Sequence, residues 1–516
     1  MLLALGGGAL LFAGHPPLGW GPVGLVALVP LLALARDVAG DRRPGRTGLG
    51  WGLLAGVAFF TPLVYWISLV EPIALPLLVL IQAVTVAAFV GGLAVWGDRP
   101  WRPLAAVVWW VALEAVRSAA PWGGFPWGVL GYTQHDGGLI LPLARTFGVL
   151  GVSAACALVA VAVEEGVERL RGLARDGPSL GSLGSLGEAG FAAVRAPLVA
   201  VLVLLAAAVV LGGDPPADAG RTLDVAAVQG NDIVDTRSLT RSRVVEVAER
   251  MTGLTVALAR DGAMPDVVVW PENALDADVT DGASQLAGVI RPALDALDGT
   301  PLLAGMLRTV DGRDYNTMAE LRDGPALGDV YAKRSLVPFG EYVPLREYLG
   351  WVPPLERASN FAAGGDPGVF NVGGARLATV ICFENNFPEL TRSQVREGAE
   401  LLVVSTNNAS FGRTPASSQH LAFSQLRAVE SGRWVVHAGL SGISAVIDPE
   451  GRVSHRTELF EQAVVRAELP LVAADTPFTR FGDVVGPVAM AAAALAALGL
   501  AVAGGIAQWR RRYPPD

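Results

Sequence analysis

Cys382 closes the apolar run 377–381 and is followed by Phe383, Glu384, Asn385 and Asn386. A thiol becomes a useful nucleophile only when a base takes its proton or a cation favours the thiolate. Alone, a cysteine at a strand end reads equally well as a small core residue. A carboxylate two residues on, on the same strand face, is more than packing needs. Glu272 is the candidate base. It follows the apolar run Val267–Trp270 and Pro271; a proline there should end the strand and fix where the carboxylate points. Apolar neighbours also strip water from that carboxylate, which favours proton uptake from a thiol. A helix cap or a surface glutamate is the alternative for this segment. Lys333 is the third candidate. It is the only lysine in the chain, against 38 arginines. If charge alone mattered, arginine would serve; a compact ammonium with rotatable donors suits the stabilisation of one oxyanion.

Those residues need elements to hold them. Between 221 and 471 short β-branched runs alternate with longer amphipathic ones. Strands are expected at 223–229, 266–270, 301–308, 315–321, 376–382, 400–406, 434–447 and 463–469, and helices at 237–260, 283–297, 387–398 and 416–432. Nearly continuous apolar strands are buried on both faces, and their alternation with helices argues for a layered α/β domain. Glu272, Cys382 with Glu384, and Asn407 with Asn408 lie just past strand ends, the edge at which α/β sites gather.

The rest of the chain is of another kind. Of 516 residues 52% are hydrophobic and 17% charged, where a soluble protein carries charge on roughly a quarter. Mean hydropathy is +0.44. Residues 1–213 hold 12 Arg against 11 acidic residues, whereas 214–516 hold 27 basic and 37 acidic. No basic face for nucleic acid is present in this balance. The two cysteines, Cys156 and Cys382, leave no disulfide framework.

Apolar runs at about 2–14, 19–36, 50–70, 74–96, 103–119, 143–163, 195–213 and 485–508 suggest about eight transmembrane helices. The first is read as a retained helix rather than a secretory signal, since no basic leader precedes it. Arg36, Arg42, Arg43 and Arg46, then Arg99 and Arg102, then Arg169, Arg171 and Arg175, and finally Arg510, Arg511 and Arg512 all fall on the cytoplasmic side if both termini are inside. The loop 120–142, free of Lys and Arg and rich in aromatic residues and glycine, then faces outward, as does the segment 214–484. The expected domains are a helix bundle over 1–213, an extracytoplasmic α/β catalytic domain over 214–484, and a last helix with a basic tail over 485–516. Glu71, Glu114 and Arg117 lie within or at the ends of apolar runs. An ionisable residue there points to function, while Glu114 and Arg117, at i and i+3, can also simply pair on one helix face. Residues 176–190 read as a low-complexity linker.

Three segments carry a resemblance. WPEN (270–273), YAKRSLVPFGEYVP (331–344) and VICFENNFP (380–388) resemble the catalytic segments of the nitrilase, or carbon–nitrogen hydrolase, superfamily. The LVPFGEYVP form resembles that superfamily's membrane-anchored branch, the apolipoprotein N-acyltransferase family. HPPLGWGPVGLVALVPLLAL (15–34), GVAFFTPLVYWISL (56–69) and ALEAVRS with GGFPWGVLGYTQ (112–134) are similar to that family's membrane segments. The resemblance spans nearly the whole chain. It implies an αββα sandwich on a helical bundle, with Cys382 as nucleophile, Glu272 as general base, Lys333 as oxyanion stabiliser, and Glu341 and Glu384 as accessory carboxylates. It further implies a multi-pass protein of the bacterial plasma membrane. The reaction implied is ping-pong transfer of an acyl chain from a phospholipid, through a thioester, to the α-amine of a diacylglyceryl-cysteine on a lipoprotein. No metal or soluble cofactor takes part. A membrane-tethered amidase using water as acceptor is the alternative. Phe383, Ser410 and Leu440 depart from the residues common in the family and touch its acyl-donor and lipoprotein preference rather than its chemistry.

Overall fold

The computed structural model describes residues 1–176, 183–232, 241–280, 284–322, 326–349 and 359–512. Its amino-terminal half is helical: α1 (Leu2–Ala13), α2 (Val29–Val38), α3 (Pro44–Leu63), α4 (Ala74–Trp96), α5 (Arg102–Ala119), α6 (Ala144–Asp176) and α7 (Leu183–Gly212). Four stretches, Gly21–Val38, Ala74–Trp96, Leu141–Leu173 and Val485–Ala503, are long and apolar enough to cross a bilayer by length and composition. Each of the eight expected runs overlaps helix, but a turn at 25–28 interrupts the run 19–36, α1 is short and α5 carries Arg102, Glu114 and Arg117. Part of the expected linker 176–190 belongs to α7, which begins at Leu183; residues 177–182 lie outside the described residues.

Small residues set the closest helix contact. Gly48, Gly52 and Gly56 repeat every four residues along α3 and meet Gly91, Ala87 and Ala83 of α4. A methyl group on Gly52 would come within 2.7 Å of the Ala87 Cα and the Val86 carbonyl oxygen. Where lipid supplies no hydrophobic drive between helices, such backbone approach is what holds them. Glu114 and Arg117 come no nearer than 4.0 Å to each other. They reach instead for the loop after α5. Glu114 Oε1 accepts from the Leu130 N–H at 2.7 Å, and Arg117 donates to the carbonyls of Phe125 at 3.2 Å and Trp127 at 2.6 Å. The pair therefore fixes the 125–130 loop, a larger role than bracing one helix face.

Beyond the bundle stands a sandwich of two six-stranded sheets. The strands are β1 (Thr222–Gln229), β2 (Val267–Leu275), β3 (Leu302–Val310), β4 (Arg313–Leu321), β5 (Leu327–Ala332), β6 (Val369–Val372), β7 (Ala375–Ile381), β8 (Leu401–Thr406), β9 (Val435–Gly439), β10 (Ala445–Ile447), β11 (Val453–Ser454) and β12 (Ala463–Pro470). One sheet runs β12-β1-β2-β3-β4-β5 and the other β11-β10-β9-β8-β7-β6. β1, β2 and β3 are parallel, as are β7, β8 and β9. Strand alternation builds three layers of core. Val267 and Val269 of β2 face the other sheet, with Leu401 and Val403 of β8. Val268 and Trp270 face α8 (Arg241–Arg260) and α9 (Gln285–Leu297). Val380, Leu402 and Val404 face α10 (Pro388–Arg396) and α11 (Ala416–Ser431). The order of layers is αββα. A final helix, α12 (Val485–Arg512), returns along the bundle beside α5.

Two expectations need correction. The run 434–447 is two antiparallel strands, β9 and β10, because residues 440–444 turn the chain back. β2 does not end at Pro271 but continues to Leu275, with its register to β3 shifted between Trp270 and Leu275. That irregular stretch is where a proline can sit in a strand, since it has no N–H to give the ladder. The start of the helix expected at 237 lies partly outside the described residues.

Gly52→Ala should lower the thermal unfolding midpoint of the detergent-solubilised protein, at a cost of about 1–3 kcal/mol for overpacking. Gly50→Ala, which meets nothing within 4 Å, should leave the midpoint unchanged or raise it. Equal behaviour of the two would break the close-packing argument.

Candidate active site

The carboxyl ends of β2, β7 and β8 bring the sequence candidates together from both sheets. β7 stops at Ile381, and Cys382 opens a 3₁₀ turn, Cys382–Asn386, with φ of 50°. A non-glycine residue in the left-handed region is uncommon and costs roughly 1–2 kcal/mol, so the surroundings must hold it there. Glu384 therefore does not continue along a strand face; it folds back. Its Oε2 accepts from the Ile381 N–H at 2.8 Å. Its Oε1 accepts from the N–H groups of Arg334 at 2.6 Å and Ser335 at 3.1 Å, and from the Tyr331 hydroxyl at 2.8 Å. One carboxylate thus ties the Cys382 turn to the segment that carries Lys333.

Lys333 follows β5 and prolongs its ladder, its N–H donating to the Asn316 carbonyl at 2.8 Å. Its ammonium is 1% exposed and sits between two carboxylates, donating to Glu341 at 2.7 Å and Glu272 at 3.2 Å. Asn316 Nδ2 bridges the same pair, at 2.8 Å from Glu272 and 3.2 Å from Glu341. The other oxygens are also held: the Asn407 N–H donates to Glu272 Oε2 at 2.8 Å and the Val337 N–H to Glu341 Oε2 at 2.8 Å. The first of these joins the two sheets through Glu272. Close beside it, Gly305 of β3 runs so near that a Cβ there would lie 2.3 Å from the Pro271 carbonyl oxygen and 2.7 Å from the Glu272 Cα. Only glycine lets β3 pass that close.

Electrostatics follow from burial and from these pairs. Burial works against the Lys333 ammonium, but Glu272 and Glu341 outweigh it and hold its pKa well above the usual lysine value. It is a fixed positive charge. Burial first, and Glu272 second, push the Cys382 thiol up, while Lys333 and the Thr406 hydroxyl pull it back without cancelling the rise. The resting sulfur is a neutral thiol, facing both a carboxylate and a cation. Burial and then the charge of Glu384 raise the Tyr331 phenol well above its ordinary value, so Tyr331 keeps its proton and donates it. These groups can accept a thiol proton at Glu272 and meet a developing negative oxygen with Lys333.

The five residues singled out from sequence, Glu272, Lys333, Cys382, Glu341 and Glu384, all lie in this cluster. Sequence reasoning missed Asn316, Tyr331 and His420. Asn316 is a polar residue on a buried strand, which was a signal in itself. Tyr331 stands two residues before Lys333. His420 lies in α11 and its Nε2–H donates to the Cys382 carbonyl at 3.0 Å. Loops of the helical half close over the same edge. Phe125 stacks near Phe383 at 6.3 Å, Trp66 lies 4.3 Å from Phe411, and Trp122 meets Phe339 edge-on at 5.3 Å.

Residues 224–476 match the family model of the carbon–nitrogen hydrolases, and residues 7–162 match that of the apolipoprotein N-acyltransferase N-terminal domain. The two-sheet domain is thus an enzyme domain of the carbon–nitrogen hydrolase, or nitrilase, superfamily. The apolipoprotein N-acyltransferase of Geobacter metallireducens is 30% identical, over 96% of this chain and 94% of its own. That of Mycolicibacterium smegmatis is 34% identical, over 94% and 82%. Among solved structures, an amidase from Nesterenkonia sp. is similar at 19% identity and a TM-score of 0.35, over 49% of this chain and 91% of that one. The chain belongs to the apolipoprotein N-acyltransferase family.

Two buried histidines near Cys382 give a pH dependence. Burial, then the nearby Lys333 charge set against a hydrogen bond to the Cys382 carbonyl, takes His420 down to about 4 from the ordinary 6.5, and burial with His420 beside it takes His437 well below 6.5. On acidification the unfolded chain binds these protons first. Stability from neutral burial is thus complete above pH 6.5 and falls as pH drops from 6.5 toward 4, by up to about 1.4 kcal/mol per pH unit for each histidine. Buried Glu430, raised to about 7 from 4.5, works in the opposite direction over the same range, so the histidine part is read as a difference. Between pH 7 and pH 4.5 the wild-type unfolding midpoint should fall relative to that of His437→Asn. Equal pH dependence of the two proteins would contradict it.

Proposed function

We propose that the protein transfers an acyl chain from a membrane phospholipid to the amino terminus of diacylglyceryl-cysteine on lipoproteins, with Cys382 as the covalent carrier. The observation that carries the reading is the gathering of a thiol, a carboxylate and a buried ammonium at one sheet edge that loops of the apolar helical half cover. Family membership supplies the class of donor and acceptor.

Glu272 takes the Cys382 proton as the sulfur adds to the ester carbonyl. The tetrahedral oxyanion forms against Lys333, which is charged beforehand and needs no reorganisation. Collapse breaks the bond to the glycerol oxygen, and the proton on Glu272 goes to that oxygen, releasing a lysophospholipid and leaving a thioester. In the second half the α-amine attacks the thioester, Glu272 accepts an amine proton, and the proton returns to the departing sulfur. Glu341 and Asn316 hold Glu272 and Lys333 in register. Glu384 holds the turn on which Cys382 rides.

The same reading gives the membrane plan. Residues 1–213 form a helix bundle, 214–484 an extracytoplasmic catalytic domain, and 485–516 a last span with a basic cytoplasmic tail. The eight-span count with both termini inside follows from the arginine-rich loops. Both substrates are held in one leaflet of the bacterial plasma membrane, so anchoring the enzyme there replaces a three-dimensional search by lateral diffusion.

Purified protein incubated with a phospholipid carrying a labelled acyl chain should yield an acyl adduct on Cys382, cleaved by hydroxylamine, and transfer the label to a synthetic diacylated lipopeptide. Cys382→Ser should lose lipopeptide acylation by several orders of magnitude. No adduct on Cys382, with acylation persisting in the serine variant, would sink the mechanism. Hydrolysis of a small amide without lipopeptide acylation would favour water as the acceptor. A topology reporter fused at Asp516 should report from the cytoplasm, and a signal from outside would overturn the eight-span plan.

A further inference from the structure

α11 is the element with two loyalties. Fifteen of its sixteen residues, all but Ser418 between Ala416 and Ser431, are buried, because one side packs on the sandwich and the other on the helical half. Gln419 serves the membrane side. Its Oε1 accepts from Trp127 Nε1 at 2.7 Å, and its Nε2 donates to the carbonyls of Pro16 at 3.0 Å and Leu63 at 3.2 Å. The next residue, His420, serves the nucleophile. It is 1% exposed, and its Nε2–H donates to the Cys382 carbonyl oxygen at 3.0 Å. That bond fixes the tautomer, leaving Nδ1 unprotonated 3.4 Å from the Thr406 hydroxyl oxygen, which donates its own proton to Asn408 Oδ1 at 2.9 Å. The ring is wedged between Trp127 at 6.4 Å and His437 at 5.3 Å.

The geometry points to His420 as a positioning residue for Cys382, resting on the reading that Cys382 is the nucleophile. Cys382 holds φ of 50°, a conformation its own side chain disfavours. A donor on its carbonyl fixes the orientation of the peptide plane that follows, and with it the backbone frame from which the Cα–Cβ bond carries the sulfur. His420 touches neither the sulfur nor any reacting atom; it acts through the backbone. Because Gln419 clamps the same helical turn to Pro16, Leu63 and Trp127, the donor cannot drift independently of the membrane half. An alkyl side chain could fill the space of the ring, but only a side-chain N–H can hold the carbonyl. Glutamine places an Nε2 donor at a comparable reach.

The test is single-turnover formation of the Cys382 adduct from labelled phospholipid in mixed micelles, measured against lipid concentration for the full chain. His420→Leu should lower the limiting rate about 10- to 100-fold, the cost expected of a nucleophile displaced by up to an ångström. The half-saturating lipid concentration should stay within about twofold. His420→Gln should restore most of the rate, and rescue by a donor separates positioning from a general loss of folding. A leucine variant that acylates at the wild-type rate, or a glutamine variant no faster than leucine, overturns the inference. If wild type forms no lipid adduct but hydrolyses a small amide, the acyl-donor reading fails by itself. The same three-way comparison, run on amide hydrolysis, then decides the role of His420.

Discussion

One buried ammonium sets the terms for the whole site. Lys333 is 1% exposed, and an unpaired charge at that depth would cost several kcal/mol. Two carboxylates compensate it, and two carboxylates close together would repel unless donors were placed between and around them. Asn316 supplies the bridge, and backbone N–H groups from Asn407 and Val337 satisfy the far oxygens. Each of those donors belongs to a different element. β4, β8, and the loop after β5 are thus held in one arrangement by a single electrostatic requirement. Glu272 in turn stands within the irregular stretch of β2, which makes the same cluster a clamp between the two sheets.

The neutral thiol is the counterpart of that fixed charge. A permanent thiolate beside Lys333 would be partnered and sluggish; in the proposed mechanism a thiol raised by burial and by Glu272 gives up its proton as a bond forms to carbon. Ammonium and carboxylate are then both available to the transition state. On this account the neighbouring charges are worth more to the reaction than to the resting fold, the condition under which binding energy accelerates chemistry.

How much of this was legible in the sequence depended on whether a residue's role was local or crossed the fold. Lys333 could be singled out because the chain uses arginine at 38 other basic positions. Cys382, Glu384 and Glu272 could be placed because apolar runs end just before them, and Glu341 through its motif. Eight β-branched runs covered nine of the twelve strands, with β9 and β10 read as one. β5, β6 and β11 escaped because their exposed positions break the apolar pattern. Pro271 misled: a proline within a buried run reads as a stop, and only the shifted pairing with β3 shows how the strand carries on. The roles of Asn316, Tyr331 and His420 escaped for another reason. Each acts on a residue from another segment, across 44, 53 and 38 positions respectively, and no spacing rule reaches that far. The helical half was legible as apolar runs, but hydropathy could not tell which polar residues within them hold loops.

That last point bears on why the two halves belong to one chain. Glu114 and Arg117 spend their hydrogen bonds on the backbone of 125–130, and Trp127 within that loop spends its indole N–H on Gln419 of α11. From there one peptide unit leads to His420 and the Cys382 carbonyl. The path is continuous and consists of directional bonds between buried side chains. A lone sandwich would expose α11 and lose the bonds that seat its first turns. Joining the halves does more than bring an enzyme to a lipid surface: the helical half supplies part of the scaffold on which the candidate nucleophile is aimed.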